Sequence, residues 1–127
     1  MRIVAVKCLP VSIPLLKELK VTYATRTAYN GFLLQLVTDT GLTGLGEAAP
    51  NFEVCHETLE GTLQACQAMA PLVRGSDPLA REAILEKLEP WRHTAAAALA
   101  AYDIALWDLA GKSAGLPIRD LIGGYRQ

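Results

Sequence analysis

The chain has 127 residues, 51% of them hydrophobic and 20% charged, with a formal charge of −1, a length that fits one domain able to bury roughly two-thirds of its unfolded surface. Lys and Arg are scattered rather than massed, which excludes the basic field that recruits nucleic acid, and no apolar run nears the roughly 18 residues of a membrane span. A start without a signal-peptide cleavage pattern points to the cytoplasm, and a mean hydropathy of +0.23 suggests that some of the surface meets a partner.

Residues 2–13, RIVAVKCLPVSI, are rich in β-branched side chains, and Pro10 and Pro14, which cannot donate to a ladder, predict an outer strand. From 15 to 31 the apolar pattern gives way to Thr, Tyr, Lys and Arg, which predicts a long, polar, solvent-reachable loop. Structureless loops of that length are usually functional or disordered. FLLQLVTDTGLTGLGEAAP, residues 32–50, reads as a hairpin turning at Asp39-Thr40-Gly41. Gly44 and Gly46 weaken its second strand, so another backbone should approach closely there.

At residue 56 the apolar period changes from two to about 3.6, and Leu59, Leu63, Cys66, Ala70 and Val73 predict a helix over 56–73. Asp77, directly before Pro78, is placed to cap a second helix with Ala80, Ile84, Leu88 and Trp91 along one face. Thr94 is the expected cap of a third, alanine-rich helix ending at Gly115, whose small side chains favour close packing and deep burial. Pro117 restarts a short helix or turn that Gly123 and Gly124 stop. Three strands followed by three or four helices make an α+β fold, a three-stranded antiparallel meander with a helical bundle. Cys8, Cys55 and Cys66 are odd in number, far apart and without metal-site spacing, so reduced, inert thiols are expected.

The stretch AAYDIALWDLAGKSAGLPIRDLIGG, residues 100–124, closely resembles the signature of the mandelate racemase and muconate lactonizing enzyme branch of the enolase superfamily. GLGEAAP, residues 44–50, resembles the exit of the same family's third strand, and PVSIPL, residues 10–15, its first strand. The resemblance implies an N-terminal capping domain over 1–122, with 123–127 beginning the link to a C-terminal TIM-type barrel that this chain lacks. It implies that the full enzyme holds Mg²⁺ and that barrel lysines remove a proton α to a carboxylate, giving an enediolate that the metal stabilises. No Lys-x-Lys pair occurs among Lys7, Lys17, Lys20, Lys87 and Lys112, so no catalytic or metal-ligating residue is assigned here and this chain alone should not turn over substrate.

In relatives, two cap segments fold over the barrel mouth and touch the distal part of the substrate, excluding water and setting specificity. They correspond here to 16–31 and 49–57. Tyr23, Thr25, Arg26 and Thr27 are the candidates in the first, because an Arg beside hydroxyls grips a carboxylate through charge-assisted hydrogen bonds; a solvated surface Arg is the plain alternative. In the second, Asn51 and Phe52 follow Pro50, and an exposed Phe would wall an apolar substrate portion or pack on the domain's own helices. Adjacent Cys55 and His56 point apart on most backbones and are not read as a nucleophile and base. Glu47 is expected to be structural, Asp108 and Lys112 to pair four apart on a helix, and Asp103 to need a partner that the sequence does not name.

A dipeptide epimerase is the expected whole enzyme, acting on a small carboxylate such as a dipeptide. Muconate cycloisomerase, o-succinylbenzoate synthase and N-acylamino acid racemase types are the enzymatic alternatives, and a stand-alone binding or oligomerisation module the other. A homo-oligomer is expected, with no nucleic acid or membrane partner.

Overall fold

Alternation sets the sheet. In FLLQLVT, Phe32, Leu34 and Leu36 are buried while Leu33, Gln35 and Val37 turn to the other face, the period-two pattern of a sheet with one face on a core. The computed structural model describes residues 1–124; the expected link over 123–127 lies outside the described residues from 125 onward. The strands are β1 (Ile3–Val21), β2 (Ala24–Thr38) and β3 (Thr43–Ala48), paired antiparallel in the order β1-β2-β3. After them come α1 (Phe52–Cys55), α2 (Leu59–Val73), α3 (Arg81–Leu88), a 3-10 turn (Glu89–Trp91), α4 (Ala96–Ala114) and α5 (Ile118–Leu121). The α+β layout expected from the sequence is the one observed.

The stretch expected to be a polar loop, 15–31, is a second hairpin. β1 continues to Val21, turns through Thr22 and Tyr23, and returns as β2, with Leu19 opposite Arg26 and Val21 opposite Ala24. Its polarity reflects position, since the hairpin projects past the core and most of its residues face water on both sides. Thr, Val and Tyr still favour the extended backbone. The turn escapes notice because it uses neither Gly nor Asn, and neither of its residues has a positive φ. A register irregularity between Pro14 and Leu19 shifts the projecting end relative to the base.

Helix α4 is the central layer, with Ala98, Ala101, Tyr102, Ala105, Leu106 and Leu109 buried. It lies close on β3 because both surfaces are small. A Cβ on Gly46 would run into the Ala101 carbonyl, and one on Gly44 would sit 2.7 Å from Leu109 Cγ. Side chains of α4 also reach β3's open edge: Asp108 accepts from the Leu45 amide at 2.8 Å, and Lys112 bonds both Asp108 at 2.6 Å and the Thr43 carbonyl at 2.7 Å. At the sheet's other edge Ile3 exchanges backbone hydrogen bonds with the 75–76 loop at 3.0 and 2.8 Å. The buried face of α2 is Thr62, Cys66, Met69 and Val73, rotated from the expected stripe so that Leu59 is exposed. The Tyr102 hydroxyl donates to the Cys66 carbonyl at 2.8 Å and ties α4 to α2.

Two expected caps are elsewhere. Asp77 closes a turn, accepting from the Leu79 amide at 3.0 Å, and α3 begins only at Arg81. Thr94 does not cap α4. The carboxylate of Glu57 does so, accepting from the amides of Ala96 at 2.9 Å and Ala97 at 3.1 Å. Gly115, at φ 66°, ends α4 as expected. Asp103 finds its partner in Arg81, Nε to Oδ1 at 2.6 Å, and that carboxylate pushes the Arg81 pKa up. The Arg81 guanidinium also lies over the Trp107 ring, 4.9 Å from its centroid.

Candidate functional site

Asn51 starts the site. Its side chain accepts from the amides of Glu53 at 3.1 Å and Val54 at 3.2 Å, which caps the single turn of α1 and turns the chain sharply after β3. The turn closes on His56, held in the left-handed region at φ 57°, a conformation uncommon for a non-glycine residue. Its ring meets Phe52 edge to face at 5.9 Å between centroids. Phe52 is thereby braced with 59% of its surface exposed.

The base of this turn is anchored by Glu57, 8% exposed, which accepts from the Thr62 hydroxyl at 3.3 Å besides the two α4 amides. A carboxylate on a helix N-terminus meets both unpaired amides and the positive end of the helix dipole. Across from it stands the start of β2. The Tyr29 hydroxyl donates to the Ala48 carbonyl at 3.4 Å, joining the projecting hairpin to the end of β3. Burial, with the neighbouring Glu47 carboxylate, pushes its pKa up to about 12.

Between these walls lies a cleft of about 520 Å³. The structure brings Thr25, Arg26, Thr27, Asn51 and Phe52 to it, together with Glu53, Glu57 and Thr58. Tyr23 does not line it; it stands at the hairpin turn, 54% exposed. Arg26 bonds Glu53 at 2.9 Å with both side chains about a third or more exposed, a pair worth at most about 1 kcal/mol. A charged group entering the cleft can therefore compete for either partner. A larger groove between α3 and α4, about 670 Å³, has both of its arginines paired within it, Arg81 with Asp103 and Arg92 with Glu89.

Glu53 and Glu57 are the site residues that sequence reasoning missed. The spacing of Asn51 and Glu53 hints at a capped turn, but nothing local announces that Glu57 serves a helix 39 positions away. Cys55 is an exposed thiol beside the His56 turn, with no hydrogen bond between them.

No group of three or more His, Cys, Asp or Glu side chains among the described residues is arranged to hold a metal ion. The carboxylates of the site and core are already engaged: Glu57 by two amides, Glu53 by Arg26, Asp103 by Arg81, Asp108 by Lys112 and the Leu45 amide. They do not fit a magnesium site, which asks for several oxygen ligands in near-octahedral array. No helix among the described residues is long and apolar enough to cross a membrane.

Residues 3–123 match the family model for the mandelate racemase / muconate lactonizing enzyme N-terminal domain. The chain is 39% identical over 104 residues to the L-Lys-D/L-Arg epimerase of Desulforapulum autotrophicum, covering 81% of this chain and 29% of that protein. The structure of a dipeptide epimerase from Enterococcus faecalis, complexed with Mg and the dipeptide L-Leu-L-Tyr, superimposes with a TM-score of 0.94 at 34% identity, covering 98% of this chain and 35% of that one. The N-succinyl Arg/Lys racemase of Bacillus cereus also superimposes at 0.94, with 27% identity, over all of this chain and 35% of that one. The chain thus spans about a third of the length of the proteins it matches.

Proposed function

The chain belongs to the mandelate racemase / muconate lactonizing enzyme family of the enolase superfamily, as its N-terminal domain, and from this membership we propose that it caps and selects the substrate of a dipeptide epimerase. In this reading a C-terminal barrel, joined after about residue 122, carries out the reaction. That reaction removes and returns a proton α to a carboxylate. The full-length enzyme depends on Mg²⁺, and no acidic side chain of this chain is assigned to the metal. The setting is the cytoplasm and the working form a homo-oligomer.

One observation carries the proposal: five of the six residues singled out for substrate contact, drawn from two segments about 25 positions apart, line one cleft. Arg26, flanked by Thr25 and Thr27, is the anion-binding element, and the exposed ring of Phe52 is the apolar wall. Glu53 holds the guanidinium until a substrate carboxylate replaces it, since paired N–H···O bonds to a carboxylate are among the stronger polar contacts. Capping also excludes water, which strengthens every charge interaction inside the closed site.

The likeness to the Bacillus cereus racemase favours a second reading, in which the substrate is an N-acylated amino acid rather than a dipeptide. One experiment separates them. The full-length protein is offered panels of dipeptides and N-acylamino acids, and α-deuterium incorporation is followed by mass spectrometry. Exchange on dipeptides, with a selectivity that changes in Arg26→Ala, is the expected result. Exchange confined to N-acylamino acids would replace the first reading by the second, and unchanged selectivity in Arg26→Ala would remove Arg26 from substrate contact.

A further inference from the structure

Cys8 and Cys66 are far apart in sequence, yet the fold sets them side by side. Cys8 lies opposite Leu34 in the β1–β2 ladder, on the face of the sheet turned to the helices. Cys66 belongs to the buried face of α2. Their sulfurs are 2.9 Å apart, so the roughly 2.05 Å of an S–S bond requires a closure of less than about 1 Å. We propose that Cys8 and Cys66 form a reversible dithiol/disulfide pair that reacts with low-molecular-weight disulfides of the glutathione class and, when oxidised, locks the outer strand to α2.

The two thiols are unequal. Cys8 is half-buried and open to an incoming reagent, whereas Cys66 is fully enclosed. The sulfur–sulfur contact, in which either thiol can donate, lowers the Cys8 pKa, while that same contact, together with burial, raises the pKa of Cys66. Cys8 is thus the attacking sulfur, because the thiolate is the nucleophile. Its thiolate attacks one sulfur of the external disulfide RSSR, the S–S bond of the reagent breaks, and RS⁻ leaves and takes a proton from water. Cys66 then gives up its proton to solvent and attacks the Cys8 sulfur. The bond from Cys8 to the reagent breaks, a second RS⁻ leaves and is protonated, and the Cys8–Cys66 bond remains. Two protein thiols are oxidised and one RSSR is reduced to two RSH.

The ring closed in this way runs from residue 8 to residue 66 and contains both walls of the cleft, the start of β2 and the Asn51–Glu57 turn. Disulfides in reducing compartments are usually transient and redox-sensing rather than permanent. The pair is therefore a site of reversible modification that closes the chain segment carrying the candidate substrate cleft. Cys55, exposed on α1, serves as an internal control.

The test uses the protein equilibrated in mixtures of oxidised and reduced glutathione, quenched with an alkylating agent and mapped by non-reducing peptide mass spectrometry. A Cys8–Cys66 cross-linked peptide pair, lighter by two hydrogens and reversed by dithiothreitol, is the expected product, with Cys55 alkylated or glutathionylated. Cys66→Ala and Cys66→Ser should each trap Cys8 as the glutathione adduct, because the resolving sulfur is gone. The oxidised wild type should melt several degrees above its reduced form, since closing a long loop restricts the unfolded chain; Cys8→Ser should show no such difference. Cys8 and Cys66 both staying alkylatable across the mixtures, or Cys8 linking to Cys55, would overturn the proposal.

Discussion

Replacing Glu57 by Ala tests how the site is held to the core. The variant removes two charge-assisted hydrogen bonds to the first amides of α4, at 2.9 and 3.1 Å, and strands the buried Thr62 hydroxyl. Bonds to charged groups contribute about 1.5–3 kcal/mol each, and the dipole of a helix end overlaps with that figure rather than adding to it. Ala96 is exposed, so water replaces part of the loss on that amide. The expected destabilisation is about 2–4 kcal/mol, a fall in Tm of about 6–20 °C for a domain of this size. Glu57→Gln keeps one acceptor but turns its amide donor toward the second N–H, and should lose about half as much. Glu60, exposed on α2 and bonded among the described residues to Gln64 at 3.3 Å, is the control, with Glu60→Ala within about 0.5 kcal/mol of wild type. Urea unfolding with a common m-value gives the differences. Hydrogen exchange at the Ala96 and Ala97 amides reports the mechanism, and both should lose protection in Glu57→Ala. A Glu57→Ala midpoint indistinguishable from that of Glu60→Ala, with those two amides still protected, would refute the cap.

The other tests reach different parts of the molecule. Gly46→Ala drives a methyl group into the Ala101 carbonyl and should lower stability by about 1–3 kcal/mol, measured by urea unfolding, whereas Gly41→Ala, in open space but at φ 84°, should lose about 1 kcal/mol from backbone strain alone. Tyr29 should ionise near pH 12 in the folded chain, where burial and the Glu47 carboxylate push its pKa up to about 12, and near 10 unfolded. Its contribution to stability is therefore complete below about pH 10 and is lost as the pH rises to about 12, and the ultraviolet phenolate step near pH 12 should vanish in Tyr29→Phe. The projecting hairpin exposes Leu16, Leu19, Val21 and Tyr23, so the 127-residue chain should bind an apolar dye or self-associate, and Leu16→Lys with Leu19→Lys should abolish this; a dye-free monomer in both forms would show that these side chains need no partner.

What the sequence disclosed followed from how local the cause was. Phe32, Leu34 and Leu36 alternate because one face of their strand is dry, and Gly115 ends α4 through its own backbone; both effects act within a few residues and could be read. Residues 15–31 misled because hydrophobic periodicity detects burial rather than strand geometry, and a hairpin wet on both faces has nothing to alternate. Thr94 was a reasonable cap by type, but the buried Glu57 occupies that place from across the domain. The candidate cleft was readable to the same degree. Arg26, Asn51 and Phe52 could be chosen for their chemistry, while Glu53, which pairs with Arg26, emerges only when the hairpin and the α1 turn are brought together. Asp103 needed a partner on physical grounds, and only the packing of α3 on α4 identifies Arg81.

The treatment of the sheet's two borders bears on how copies of this domain can meet. Asp108 and Lys112 occupy the outward amide and carbonyl groups of Leu45 and Thr43, the 75–76 loop occupies those of Ile3, and Pro10 and Pro14 offer no N–H on β1. A strand from another molecule arriving alongside would find the main-chain groups it needs taken or missing at those positions, one of the ways in which natural sheets resist uncontrolled extension. The face of the sheet turned away from the helices instead presents side chains, Leu9 and Leu45 among them, both about half exposed. Contacts through such side chains are selective in shape, whereas strand addition at a bare edge accepts almost any extended chain.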